Sequence, residues 1–243
     1  YYLTGKNVNL CEAKDSIEIY VNPKPNVYIS GDMEACENSP AKITAKGAHI
    51  YKWDYAGDQT GSTDSIVQPT IIQTETFTVT GTDTITLCSN TASWQVRKNN
   101  IPTITLTAPE KVCEGEIASI TATGANSYVW TKQGAPNDTL SVNNTLTDTP
   151  EGTSITYNVS GTSNNCVADT SITIAILSKP VIEIGADKTY ICSGDTMELT
   201  ATGADMYVWS TGDTKDKIKV SPYSTTEFTL TGTSSNGCTN LGR

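Results

Sequence analysis

The chain has 243 residues, a formal net charge of -10 and 37% hydrophobic residues; 40 Thr and 21 Ser make a quarter of it hydroxylic. Thr favours strands, and the Ala-, Leu-, Glu- and Lys-rich stretches of a long helical domain are missing. A single histidine, His49, removes most zinc sites, Ser-His-Asp triads and Cys-His dyads, and the acidic balance argues against nucleic acid.

So few apolar residues fill one large core poorly and suit several small sandwiches better. No apolar run approaches the ~20 residues that cross a bilayer. The opening YYLTGK lacks the basic start and apolar stretch of a signal peptide, and there is no initiator Met. The chain is therefore expected to be a piece of a longer protein.

Residues 1–24 run from YYLTGK through Cys11 to a β-patterned, proline-ended stretch, SIEIYVNPKP at 16–25. The opening motif returns as FTVTGT at 77–82, YNVSGT at 157–162 and FTLTGT at 228–233, each followed after 9 to 11 residues by a cysteine, Cys88, Cys166 or Cys238. An earlier motif reads ITAKGAHIYKW at 43–53, ITATGANSYVW at 120–130 and LTATGADMYVW at 199–209. Each ends in a Trp 17 residues after a cysteine: Cys36 to Trp53, Cys113 to Trp130 and Cys192 to Trp209. Further proline-ended runs close the copies at 92–102 and 171–180.

The period is about 78 residues, too long for ankyrin, tetratricopeptide or leucine-rich units and suited to a sandwich of about seven short strands. The expected fold class is all-β: tandem immunoglobulin-like β-sandwich repeats, elongated. Residues 1–24 are the last two strands of a preceding repeat. Full repeats occupy 25–101 and 102–179, and 180–243 is a repeat truncated at its C-terminal side.

Within a copy, alternation names the faces. Met197, Leu199 and Ala201 alternate with Glu198, Thr200 and Thr202, the period-2 pattern of a half-buried strand. Gly203 marks a turn; Tyr207 shares a face with Trp209, and Phe228 with Leu230. Ile172, Ile174 and Ile176 line one face of a returning strand, and Asn164-Asn165 and Ser235-Asn236-Gly237 read as hairpins. Trp53, Trp130 and Trp209 invite a sugar-binding interpretation, but a Trp wedged between two sheets is a standard core residue. Trp94 lies six residues after Cys88, where Ile17 and Ile172 follow their own cysteines, and is assigned to the core with them.

Seven cysteines in a thin-cored chain suggest an oxidising compartment. Pairing within repeats gives Cys36-Cys88, Cys113-Cys166 and Cys192-Cys238, leaving Cys11 without a partner in this chain. It is preferred because each repeat could then fold alone. A rival, equally regular scheme joins Cys11-Cys36, Cys88-Cys113 and Cys166-Cys192. Geometry counts against the first, because an early and a late cysteine tend towards opposite ends of a sandwich, and bridging needs Cα atoms within ~7 Å. No CxxC motif or His cluster suggests metal.

The segments ICSGDTMELTATGADMYVWSTG at 191–212 and TTEFTLTGTSSNGC at 225–238, with KVCEGEIASITATGANSYVW at 111–130 and ITYNVSGTSNNC at 155–166, resemble immunoglobulin-like or PKD-like repeats of Bacteroidota cell-surface proteins. Many such proteins leave by the type IX secretion route and act as adhesins or gliding-related proteins. The resemblance implies an extracellular or cell-surface location. It also directs attention to Asp-Ser/Thr-apolar triplets as O-glycan acceptors: Ser16, Ser65, Thr84, Thr139 and Thr196. Asn137, Asn143 and Asn158 fit the Asn-x-Ser/Thr sequon.

No catalytic, cofactor or metal site is expected. His49 occupies a turn where the other copies have Asn126 and Asp205, and is read as solvated. Asp54, Asp58 and Asp64 share a loop but match no EF-hand spacing. The function expected is a non-catalytic stalk or adhesin segment; a carbohydrate-binding array and accessory repeats of a secreted enzyme are the alternatives. Secretion machinery, glycans or neighbouring surface proteins are the partners considered, with no nucleic acid and no membrane span. A neighbouring chain completing the open last repeat by strand addition is a further possibility.

Overall fold

The computed structural model describes residues 1–56, 62–135 and 138–242, and every regular element among them is a strand. In chain order these are β1 (Tyr2–Lys6), β2 (Glu12–Ser16), β3 (Tyr28–Gly31), β4 (Glu34–Cys36), β5 (Ser39–Pro40), β6 (Ile43–Lys46), β7 (Ile50–Asp54) and β8 (Ile66–Val67). There follow β9 (Thr70–Ile71), β10 (Glu75–Thr82), β11 (Ser89–Asn99), β12 (Thr105–Thr107), β13 (Lys111–Cys113), β14 (Ala118–Thr123), β15 (Ser127–Lys132) and β16 (Thr145–Asp148). The rest are β17 (Ser154–Ser163), β18 (Cys166–Leu177), β19 (Glu183–Ala186), β20 (Met197–Thr202), β21 (Met206–Trp209), β22 (Lys217–Val220), β23 (Leu230–Thr233) and β24 (Thr239–Gly242). The chain divides into two compact units: Tyr1–Ile101 with Asn164–Cys166, and Pro102–Ser163 with Val167–Arg243.

The first unit begins with an antiparallel hairpin, β1 on β2, from Tyr2↔Ser16 to Lys6↔Glu12. Every residue of it is exposed. The sandwich that follows has one sheet in the order β3-β6-β8 and a second in the order β4-β11-β10-β7. All pairings are antiparallel except β4 on β11, where Glu34 to Cys36 run parallel to Arg97 to Asn99. This order, with a short early strand crossing to pair in parallel with the last one, is the immunoglobulin-like arrangement. Ile43 and Ala45 of β6 and Phe77 and Val79 of β10 point inward, and their neighbours Thr44 and Thr78 lie only partly covered. Trp53 fills the middle at 1% exposure, and its Nε1 donates to the Asp64 carbonyl at 2.8 Å.

The second unit holds two more sandwiches. In one, β12-β14-β16 faces β13-β18-β17-β15, again with a parallel β13–β18 pair. Its core gathers Ile120, Trp130, Tyr157, Val159 and Ile174. In the other, β19-β20-β22 faces β21-β23-β24, around Leu199, Trp209, Ile218 and Leu230. The outer faces carry the hydroxyls as cross-strand pairs, such as Thr156 on Thr173 at 2.8 Å and Thr82 on Ser89 at 2.8 Å. Such pairs contribute ~0.2–1 kcal/mol each, so the Thr content serves the sheets directly.

The repeated Gly-Ala-x-x-Tyr turn has a steric reason. Gly124 adopts φ +100, and a Cβ there would lie 1.9 Å from the Thr103 carbonyl oxygen. Three residues on, the Tyr128 hydroxyl accepts from Ala125 N and donates to Ala125 O, both at 2.9 Å. Tyr51 and Tyr207 do the same with Ala48 and Ala204. The glycine of the later motif is fixed by packing, since a Cβ on Gly161 would meet Ile104 at 2.3 Å. Asn164 and Asn165, with φ of 47 and 62, make the two-residue hairpin turn between β17 and β18.

Trp94 departs from the core assignment: it is half-buried at the margin of the first sandwich core. Its indole Nε1 donates to the Asp32 carbonyl at 2.8 Å. It packs against that core from the inward face of β11 without being enclosed by it.

Candidate functional site

The chemistry of this chain lies in its cysteines. Parallel pairing fixes the early ones: Cys36 sits opposite Asn99, the last residue of β11, and Cys113 opposite Leu177, the last residue of β18. Early cysteines therefore stand at the end of a repeat from which the chain leaves. Late cysteines follow the hairpin at the other end, where the chain enters. Cys166 opens β18, and the Cys88 Sγ lies 3.9 Å from the Asn22 carbonyl oxygen in the segment leading into the repeat.

The structure pairs Cys36 with Cys166 and Cys113 with Cys238, with Cα atoms 5.6 and 5.7 Å apart. Neither expected scheme occurs. Within a repeat the two cysteines are separated by the length of the last strand, eleven residues in β11 and twelve in β18. At ~3.3 Å per residue that is over ~30 Å, far beyond a disulfide's reach. The two early cysteines that are bonded, Cys36 and Cys113, each take the late cysteine of the following copy.

Polar groups back both bonds. Asn99 is the one buried polar residue among the described residues; its Nδ2 donates to Glu34 Oε2 at 3.0 Å and to the Asn164 carbonyl at 3.1 Å. Glu34 also accepts from Arg97 Nη2 at 2.8 Å, and that bond, ahead of the one from Asn99, lowers its pKa. At the second bond Asn236 donates to the Ser178 carbonyl at 3.0 Å and Asn240 to the Pro180 carbonyl at 2.9 Å.

Cys11, Cys88 and Cys192 carry no disulfide. Cys88 nevertheless has the placement of a late member. The Cys166 and Cys238 sulfurs lie 3.8 Å from the carbonyls of Asn99 and Leu177, much as Cys88 lies to Asn22. Cys192 is exposed beside a groove of about 430 Å³ lined by Tyr190, Ile191, Met197, Leu199, Tyr223 and Phe228.

The remaining expected residues are dispersed. Trp53, Trp130 and Trp209 are 1%, 0% and 2% exposed, each with its indole N–H given to a backbone carbonyl. Ser16, Ser65, Thr84, Thr139 and Thr196 are all exposed. His49 is exposed too; its Nδ1 accepts from Thr84 N at 3.2 Å and lies 3.3 Å from the Asp83 carboxylate. Asp58 and Asn137 lie outside the described residues; Asp54 and Asp64 are exposed. No cluster of metal-ligating side chains occurs among the described residues.

No family model matches the chain, and no curated protein matches it. Among solved structures it is similar to the I-band fragment I67–I69 of titin at 12% identity, over 91% of this chain and 97% of that one, with a TM-score of 0.43. It is similar to an ICAM-5 D1–D4 ectodomain fragment at 12% identity, over 88% and 74%, with a TM-score of 0.41. The fibronectin(III)-like modules of Clostridium thermocellum CbhA match at 12% identity over 63% and 94%, with a TM-score of 0.37. The fold assignment rests on the strand order and pairing given above.

Proposed function

We propose that this chain is a non-catalytic structural segment of a large secreted or cell-surface bacterial protein, a stalk that presents distal domains or carries adhesion. The observation that supports this reading is the overlap of the two disulfides. Cys36–Cys166 closes a loop that contains Cys113, and Cys113–Cys238 closes a loop that contains Cys166. A pulling force on the two ends follows the shortest covalent path: Tyr1 to Cys36, across to Cys166, back to Cys113, across to Cys238, and on to Arg243. That path has about 93 peptide steps, against 242 in the reduced chain.

At ~3.5 Å per residue the oxidised chain stretches to ~330 Å and the reduced one to ~850 Å. A segment built this way stays short under load even when its thin cores open, which suits a stalk. The buried tryptophans, with their N–H groups already bonded, offer no platform for stacking a sugar ring. Force spectroscopy on the chain held by its ends tests the reading. A final extension near 330 Å that reductant raises towards 850 Å is expected. An unchanged extension on reduction would overturn it.

A further inference from the structure

The hairpins at the entry ends of the second and third sandwiches turn on different residues. Asn164-Asn165 makes the turn between β17 and β18, and Ser235-Asn236-Gly237 makes it between β23 and β24. Asn236 is the one asparagine of the chain that precedes a glycine. In such a pair the backbone nitrogen of the glycine reaches the side-chain amide carbon of the asparagine with no Cβ in the way. Asn165 precedes Cys166, whose side chain obstructs that approach.

The folded joint holds the atoms this reaction needs. Asn236 Oδ1 accepts from Ser234 Oγ at 2.6 Å and from Cys238 N at 2.9 Å. Its Nδ2 donates to the Ser178 carbonyl at 3.0 Å, in the segment between the second and third sandwiches. The Gly237 N–H donates to the Ser234 carbonyl at 2.9 Å. Cys238 follows directly, fully buried and bonded to Cys113. Attack therefore has to break the Gly237–Ser234 bond and turn the amide away from Ser178 and Cys238. The disulfide ties the residue after Gly237 in place and opposes that movement.

We propose that Asn236 is a deamidation site, protected while the Cys113–Cys238 joint is closed and exposed when it opens, so that conversion there leaves a permanent mark of opening. In the open joint the Gly237 nitrogen attacks Asn236 Cγ. The new N–C bond replaces the Cγ–Nδ2 bond, and ammonia leaves with the proton of the Gly237 nitrogen, giving a succinimide. Water then adds to either ring carbonyl and opens it to aspartate or to isoaspartate, through whose side chain the backbone runs.

Either product puts a carboxylate where the amide donated to Ser178. An ionised carboxylate only accepts, so it repels the Ser178 carbonyl oxygen. The joint recloses less firmly, and its disulfide becomes more accessible to an attacking thiol. The inference goes beyond the stalk reading, whose extension limit depends on the disulfides whatever residue stands at 236.

The test compares the full chain with its Cys113→Ser and Cys36→Ser variants, held at one mildly alkaline pH and temperature, with peptide mapping by mass spectrometry at each asparagine. In Cys113→Ser, which opens this joint, conversion at Asn236 is expected to run about tenfold or more faster than in the parent. Cys36→Ser breaks the other disulfide and is expected to leave Asn236 at the parental rate. Asn236→Asp, which supplies the product directly, is expected to lose the Cys113–Cys238 bond to reduced glutathione about threefold or more faster than the parent. Equal conversion in the parent and Cys113→Ser would overturn the proposal. So would conversion in Cys36→Ser as fast as in Cys113→Ser, or an Asn236→Asp chain whose bond resists glutathione as well as the parent's.

Discussion

The second and third sandwiches start from nearly the same sequence and differ at one flank. In the second, β13 lies along the end of β18, Val112 is 9% exposed and Tyr157 is fully buried. In the third, the matching Ile191 and Phe228 are half-buried and Tyr190 is 88% exposed. The tryptophan is buried in both. The difference separates two contributions to a small sandwich. The middle of the core is filled by strands that each copy carries in its first two thirds, whereas the flank is closed only by the last strand.

That contrast gives a graded set of expectations. The largest concerns the cysteines. Cys113 closes a span of 125 residues, which by the loop-entropy model stabilises by about 5 kcal/mol. Cys113→Ser should lower stability by that order in chemical denaturation, while Cys192→Ser, at an exposed thiol, should stay within about 0.5 kcal/mol. Equal losses would erase the distinction between the stapled and the open flank.

Next come the tryptophans. Trp130→Ala should cost about 3–5 kcal/mol as measured by proteolytic susceptibility of the second sandwich. Trp209→Ala should cost less, because fewer buried side chains surround it in the third core than surround Trp130 in the second. A larger loss at Trp209 would mean the open flank matters little to the core beside it.

A smaller effect is expected at Tyr157, whose hydroxyl donates to Asp148 Oδ2 at 2.7 Å. Tyr157→Phe makes the second sandwich resemble the third at this position and should cost about 1 kcal/mol in thermal unfolding.

The subtlest expectation is a pH response. Burial pulls the Asp148 pKa up, but hydrogen bonds from Lys132 and Tyr157 outweigh it, and the pKa is lowered overall. A lowered folded-state value means that the stability it confers is present above the unfolded pKa of ~3.9 and is lost as pH falls through the folded value. Amide protection factors across β15–β17, taken relative to the intrinsic exchange rate at each pH, should fall on acidification below about pH 4, and Asp148→Asn should flatten that response.

Much of this architecture is legible in the residues. The alternation of Met197, Leu199 and Ala201 reappears as the inward face of β20, and the hairpin turn stands at Asn164-Asn165. The glycines of both motifs have steric reasons that repetition alone signalled. The cysteine partners are not legible in the same way. Spacing shows that Cys36 and Cys88 recur, but not that a parallel pairing of β4 carries Cys36 to one end of the sandwich while a hairpin holds Cys88 at the other. One signal was available: the proline-ended run after each late cysteine is long enough to span the whole sandwich, which puts the late cysteine a full strand length from the end where the chain leaves. Trp94 misled for a related reason. Its offset gives the face of β11 it points from, but not how much sheet covers that face.

Peptide mapping of the oxidised chain under non-reducing conditions tests the central claim most directly. Linked peptides joining Cys36 to Cys166 and Cys113 to Cys238 are the predicted result. Peptides joining Cys36 to Cys88, or Cys88 to Cys113, would contradict it.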